Sequence, residues 1–305
     1  MERWRVVDCS MMEGSIRSER GAIEIYKIDN PPVHMPIADV AVVLIGLKVR
    51  YSPGVIHRLL SEDIAVMFCD WKGHPIGGAY SWADHGRVGA RATAQAILTE
   101  PRRKNAWGRI VKAKVLGQSR VLEECGERIK AIELRSMARN IRSGDPNNIE
   151  AQAARVYWNS LWGSEGFRRI PGAHQGLSNT RNNQLDYAYT ILRGHGIRAV
   201  LGAGLTPALG IFHRGRSNNF ALVDDLIEPF RPAIDSWVLG LESDAPMEEA
   251  ETRAYLVKAA FQKFRKDGAT IPTVFAEFAQ AFGRYVELDA PTLAVPVWEG
   301  PQDGR

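Results

Sequence analysis

The first hundred residues carry short apolar runs spaced as strands are. Val40-Ala41-Val42-Val43-Leu44-Ile45 is continuously apolar over six residues, the pattern of a strand covered on both faces. Gly21–Tyr26 alternates partially, and Ile64–Cys69 repeats the covered pattern. Between them, Ser52-Pro53-Gly54 predicts a helix through Leu60. Ser52 is its N-cap and Pro53 its first helical residue, where a missing N–H costs nothing. Gly73, Pro75, Gly77 and Gly78 predict a turn, followed by a strand reaching Trp82.

The periodicity then becomes helical. Glu100-Pro101-Arg102-Arg103-Lys104 reads as a polar, proline-containing hinge and a domain boundary. Beyond it, Trp107, Ile110, Val111, Lys114 and Val115 follow helical spacing, as do Leu122, Ile129, Ile132 and Leu134. Asp145-Pro146 predicts the cap of a helix that carries Glu150 and ends near Gly163. A Gly/Arg/Asn-rich loop, residues 163–183, precedes a long apolar helix over residues 184–201. A helix from Phe220 is redirected at Pro229 and Pro232, and two more are expected over residues 245–266 and 271–285. The fold class expected is α+β, a small β-rich domain (1–100) followed by a larger all-helical domain (101–305).

Composition adds limits rather than identity. A hydrophobic content of 45% and a charged content of 24% are those of a globular protein, and a net charge of +4 is compatible with nucleic acid without requiring it. Cys9, Cys69 and Cys125 are odd in number and have no CxxC spacing, which argues against a disulfide framework or a structural zinc site. The first eight residues lack the apolar core of a signal peptide, and the run Val40–Leu47 is too short to span a bilayer. A soluble, cytoplasmic protein without a membrane partner is expected. There is no GxxxxGK[ST] loop, GxSxG elbow or GxGxxG after a strand, so ATP hydrolysis, serine hydrolase chemistry and dinucleotide binding lose support.

The candidate chemistry lies in His213, the acidic run Val223–Pro232 and Glu150. Carboxylates with one imidazole suit Mg²⁺ or Mn²⁺, which favour oxygen donors, and point toward phosphodiester chemistry. On a helix, Asp225 and Glu228 are three apart and share a face, whereas Asp224 turns about 100° away, toward solvent or a cap. These residues alone also fit exposed helical carboxylates and a satisfied loop histidine. His34, His57, His74, His85, His174 and His195 show no ligand spacing and read as structural or surface residues. Arg102, Arg103, Lys104, Arg109, Lys112 and Lys114 cluster at the hinge and first long helix, with Arg168, Arg169, Arg214 and Arg216 further on. Such a stripe would serve phosphate binding, with Arg214 and Arg216 the best placed, or form ordinary solvated faces.

Several blocks together resemble the CRISPR-associated integrase family that inserts new spacers (Cas-one), most closely its type II members. They are Trp4–Asp8 and Gly14–Gly21, similar to an opening hairpin; Trp107–Gln118, similar to a basic first helix; and Gly144–Glu150 with Ala153–Trp158. Gly204–Gly210 leading to His213, and Asp224–Pro232, complete the set. Two positions depart from the family's pattern: Asp186 in Leu-Asp-Tyr-Ala-Tyr, where the family reads asparagine in Leu-Asn-Tyr-Gly-Tyr, and Thr206, where histidine or aspartate often stands. The resemblance implies an N-terminal β-sandwich dimerisation domain and a helical catalytic domain. It implies Glu150, His213 and Glu228 as Mg²⁺ or Mn²⁺ ligands, with Asp225 behind them, and double-stranded DNA contacts from Arg214, Arg216, Arg168, Arg169, Lys112 and Lys114. It also implies a homodimer that assembles with a Cas-two partner and joins DNA 3′-hydroxyls to a CRISPR repeat by transesterification. A hydrolytic metal-dependent endonuclease and a non-catalytic DNA-binding scaffold are the alternatives.

Overall fold

In the computed structural model, residues 5–28, 30–71, 73, 75–81, 85–163, 166–170, 180–247 and 249–302 are described. Trp4, His74, the strand end expected at Trp82, His174 and most of the loop expected over 163–183 lie outside them. The chain forms two compact units, Met1–Asp84 and His85–Arg305.

The first unit holds strands β1 (Arg5–Cys9), β2 (Gly14–Glu19), β3 (Ala22–Lys27), β4 (Val33–Pro36), β5 (Val40–Ile45), β6 (Val49–Tyr51), β7 (Ala65–Cys69) and β8 (Pro75–Ala79), with helix α1 (Pro53–Ser61) before β7. They pair as two four-stranded sheets, β1-β5-β7-β8 and β4-β3-β2-β6. Val7, Val43, Ile45 and Val66 of one sheet, Ile16, Ile23 and Val49 of the other, and Val55 and Leu59 of α1 enter a single buried cluster. The continuous apolar run of β5 has the reason expected of it, since the strand pairs in parallel on both sides, with β1 and β7, and every residue is buried. Gly46 ends the run because the backbone passes close by: a Cβ there would lie 1.9 Å from the Ser10 carbonyl oxygen.

The second unit is helical: α2 (Val88–Ala96), α3 (Glu100–Glu124), α4 (Arg128–Arg139), α5 (Ile149–Trp162), α6 (Thr180–Gly202), α7 (Ala221–Leu226), α8 (Arg231–Val238), α9 (Ala250–Lys258) and α10 (Ile271–Val286). The boundary expected at residue 100 is corrected to residues 84/85. Thr99 caps α3 and Pro101 falls in its first turn, where proline is tolerated, so the polar segment opens a helix. α6 begins at Thr180, four residues before the expected start, because its polar opening is buried and bonded. Arg181 donates to the Val238 and Leu241 carbonyls (3.0 and 2.9 Å), and the Asn182 side-chain oxygen accepts from the Ile170 amide (3.0 Å). The helix expected over 245–266 is shorter. After α9 and a 3-10 turn, the chain reverses through Gly268 at φ +89°, with Lys263 bridging Thr270. The core around α10 is aromatic: Phe230 stacks on Phe275 at 4.5 Å and packs beside Phe264 at 4.8 Å. Among the described residues, no helix is long and apolar enough to cross a membrane.

Candidate metal and phosphodiester site

Glu150 is placed by an unusual cap. Asn148 takes the left-handed conformation (φ 49°), and the Asp145 carboxylate three residues earlier accepts the amides of Ile149 and Glu150 at 2.9 and 2.8 Å. The expected capping by Asp145 therefore holds, although the helix begins at Ile149 and leaves Pro146 outside. Glu150 then projects toward α3, where its Oε1 meets Lys114 Nζ at 2.6 Å.

Glu228 arrives by a different route. Pro229 and Pro232 break the expected helix into α7, a 3-10 turn (Glu228–Phe230) and α8, each proline seated in a first turn. Glu228 is 3% exposed. Its Oε1 accepts from Arg231 at 2.6 Å, and its Oε2 lies 2.6 Å from Lys114 Nζ. The Lys114 ammonium therefore engages one oxygen of each glutamate, and Arg231 takes the other oxygen of Glu228. Burial alone would raise the Glu228 carboxyl, but the charges of Arg231 and Lys114 hold it down at about 2. Burial likewise opposes the Lys114 ammonium, and Glu228 and Glu150 outweigh it and raise its pKa. Arg231 in turn lies over the Tyr189 ring, 4.2 Å from its centre.

His213 belongs to a loop organised by one carboxylate. Asp225, fully buried on α7, accepts the backbone amides of Ile211, Phe212 and His213 at 2.5, 3.0 and 3.1 Å, and meets His213 Nδ1 at 2.7 Å. Gly210 makes this bend possible, since a Cβ there would lie 2.2 Å from the His213 carbonyl oxygen. The Asp225 hydrogen bond raises the His213 pKa, burial opposes it, and the charges of Asp225, Glu228 and Asp224 add to the rise. The imidazole side chain is 44% exposed and meets the Trp107 ring edge-on at 6.0 Å. With Nδ1 turned to Asp225, Nε2 is the nitrogen left for a ligand.

The structure thus brings Glu150 and Glu228 onto one ammonium, and Asp225 onto His213. Asp225 bonds His213, while α7 ends at Leu226 and the following turn aims Glu228 at Lys114 on α3; the charges of both carboxylates act on the His213 imidazole. Asp224 is engaged by Arg193 (2.7 and 3.2 Å) and by Asn218 (2.8 Å) rather than solvated. Of the expected DNA contacts, Arg214, Arg216, Lys112 and Arg168 are exposed. Arg169 is committed to Asp186 and Asn182, and Lys114 to the two glutamates. Asp186 thereby has a structural use as Arg169's partner. Thr206, the other departure, exchanges hydrogen bonds with Gln95: its amide donates at 2.8 Å and its carbonyl accepts at 3.1 Å.

Sequence reasoning missed Lys114 as the partner of both carboxylates, and also Arg231. The i, i+3 spacing of Glu228 and Arg231 was a readable signal. Lys114 lies 36 residues from Glu150, and no local pattern joins them. His34, expected to be a structural or surface residue, is exposed and stands directly across from Glu24 on β3 and β4. With Glu19 it forms, among the described residues, a group whose ligand atoms lie within 4.8 Å of one another. Glu150, His213 and Glu228 do not form so tight a group, and the Lys114 ammonium contacts both carboxylates.

The chain belongs to the CRISPR associated protein Cas1 family, which it matches over residues 10–266. It is 36% identical over 208 residues to the CRISPR-associated endonuclease Cas1 of Neisseria meningitidis serogroup C (strain 8013), a match covering 68% of this chain and 66% of that protein, just under two thirds of its length. Its fold is shared with a casposase bound to integration product (TM-score 0.79, 17% identity, 96% of this chain and 93% of that one). The fold is shared as well with a chain of a Cas6-RT-Cas1–Cas2 complex (TM-score 0.75, 19% identity, 98% of this chain and 36% of that one).

Proposed function

We propose that this chain is a divalent-metal-dependent DNA integrase of CRISPR adaptation, joining the 3′-hydroxyl ends of short duplex DNA to a CRISPR repeat. The observation that carries this reading is the convergence of Glu150 and Glu228 on a single cation position, 2.6 Å from each, where Oε2 of buried Glu228 faces it. Two carboxylates already gathered around one positive charge, with the charge of Glu228 also reaching the His213 imidazole, are a donor set suited to Mg²⁺ or Mn²⁺. Glu150, Glu228 and His213 would hold the ion, which polarises the scissile phosphate and favours the alkoxide of the attacking hydroxyl when bound.

The remaining work falls to the chain's own groups. Asp225 accepts a hydrogen bond from His213 Nδ1–H and so fixes the ring's tautomer and aim. Arg231 holds Glu228 ionised and oriented. Arg214 and Arg216, exposed beside His213, bind phosphates and offset charge that builds as the new O–P bond forms and the old one breaks. Lys112 and Arg168 extend that contact; Arg169 and Lys114 are withdrawn from it. The proton of the attacking hydroxyl ends on the displaced oxygen, one phosphodiester replaces another, and no ATP is required. The N-terminal β unit is assigned to dimerisation, and the complex holding a Cas1–Cas2 assembly supports a Cas2 partner here.

A strand-transfer assay tests the reading: labelled short duplex, a repeat-bearing plasmid, Mg²⁺ or Mn²⁺, with and without the Cas2 partner. Label joined to plasmid and lost in Glu150→Ala is the expected result. Free ends without joining would replace transesterification by hydrolysis, the reading that the relatives' endonuclease name favours.

A further inference from the structure

Phe212 is exposed and yet held on its loop by ring packing and a backbone hydrogen bond. Its residue is 53% exposed. One face of its ring nevertheless lies flat on Trp107, with centroids 4.3 Å apart and planes within 2°. Trp107 is 3% exposed and sits in the long helix α3, so the backing is rigid. The Phe212 amide is tied to buried Asp225, as are its neighbours on both sides. The ring's second face thus stands open and pre-ordered, one residue from His213.

The surroundings are cationic. Phe212 lines a cavity of about 420 Å³ together with Arg103, Lys104 and Arg214, and with Glu100, which is already paired to Lys104 at 2.6 Å. That volume suits one small ligand and not a duplex. Arg103 donates to the Leu98 carbonyl at 2.5 Å, and its pKa is lowered by burial and then by the charge of Arg214, with Glu100 opposing.

We propose that the open face of Phe212 is a stacking platform for one unpaired nucleobase of the DNA, with the adjoining phosphate held by Arg214 and Arg103. An aromatic face accepts any base, and a flanking arginine supplies the phosphate contact. This rests on the DNA-processing reading above. It adds that the strand beside the reacting phosphate is unstacked there, with Phe212 as a positioning residue.

The test is a 2-aminopurine walk along a single-stranded overhang and a branched duplex, read by fluorescence with EDTA present so that no metal chemistry intervenes. One position is expected to change its emission on binding in the wild-type protein and in Phe212→Trp, and not in Phe212→Leu, which still covers Trp107. An abasic site at that position should weaken wild-type binding roughly ten-fold and leave Phe212→Leu unaffected. Arg214→Ala should weaken binding and lower the salt dependence by about one phosphate contact. Matching thermal melts establish that the variants fold. DNA binding by anisotropy with a flat walk, or equal abasic penalties in both proteins, would overturn the platform and leave the integrase reading standing. A Phe212-dependent position together with a fully active Glu150→Ala would do the reverse. Absence of binding to every DNA form would end both.

Discussion

At the proposed metal site Lys114 and a divalent ion would compete for the same two carboxylates, which gives this residue an effect of its own on stability and binding. With the ammonium removed in Lys114→Met, buried Glu228 keeps only Arg231. The metal-free protein should lose about 3 kcal/mol, the scale for breaking a buried charge pair. Mn²⁺ should bind the variant several-fold more tightly in calorimetry, since no internal cation has to be displaced. Asp225→Asn keeps the side chain's shape but removes the charge that gathers three amides and the imidazole. Strand transfer should fall roughly 10- to 100-fold, as expected when a ligand's orienting partner is lost, while far-UV circular dichroism stays native.

Among the elements, α3 is the beam on which the site is mounted, and its glycines show why. A Cβ on Gly108 would lie 2.7 Å from the Arg142 carbonyl oxygen, and one on Gly117 would lie 2.9 Å from the Pro232 ring. In an open helix, Gly→Ala stabilises by up to about 1 kcal/mol. Here the close approach of backbone and proline should reverse the sign. Gly108→Ala should lower stability by roughly 1–3 kcal/mol in denaturant melts, and a gain would show that the segment after α4 yields freely. Because Trp107 and Lys114 sit on the same helix, a shift of α3 at Gly117 should impair strand transfer along with stability.

For the molecule as a whole, two buried titrating groups set opposite pH trends. His195 is buried in α6 against Phe261, and burial followed by the Arg198 charge lowers its pKa to about 3. A depressed folded-state value means that its contribution is complete above 6.5 and is lost as pH falls from 6.5 toward 3. Asp235, which accepts from Tyr157 (3.1 Å) and Tyr189, is raised by burial to about 6. Its contribution is complete below 3.8 and is lost as pH rises toward 6. Between pH 6.5 and 4.5, wild type should lose roughly 2–3 kcal/mol relative to His195→Leu, measured by urea melts at each pH. Asp235→Asn should change the slope in the other direction over pH 4–6.

What the sequence determined by itself was mostly local. The buried run of β5, the Ser52-Pro53 start of α1 and the helical periodicity of α3 follow from neighbour-to-neighbour patterns, and the structure keeps them. Family membership was legible too, because ordered blocks such as Asp224–Pro232 carry a spacing that no single motif has. The domain boundary was not legible: proline reads alike as a hinge or as the first turn of a helix, and only the packing of α3 distinguishes them. Nor were the partners of the candidate ligands. Glu150, Glu228 and Lys114 come from three elements, and charge alone does not say whether a lysine faces DNA or a buried glutamate. Tertiary structure decided that, because desolvation makes an unpaired buried charge so costly that Glu228, once carried inside by Pro229 and the turn, had to gather cations from wherever the fold brought them.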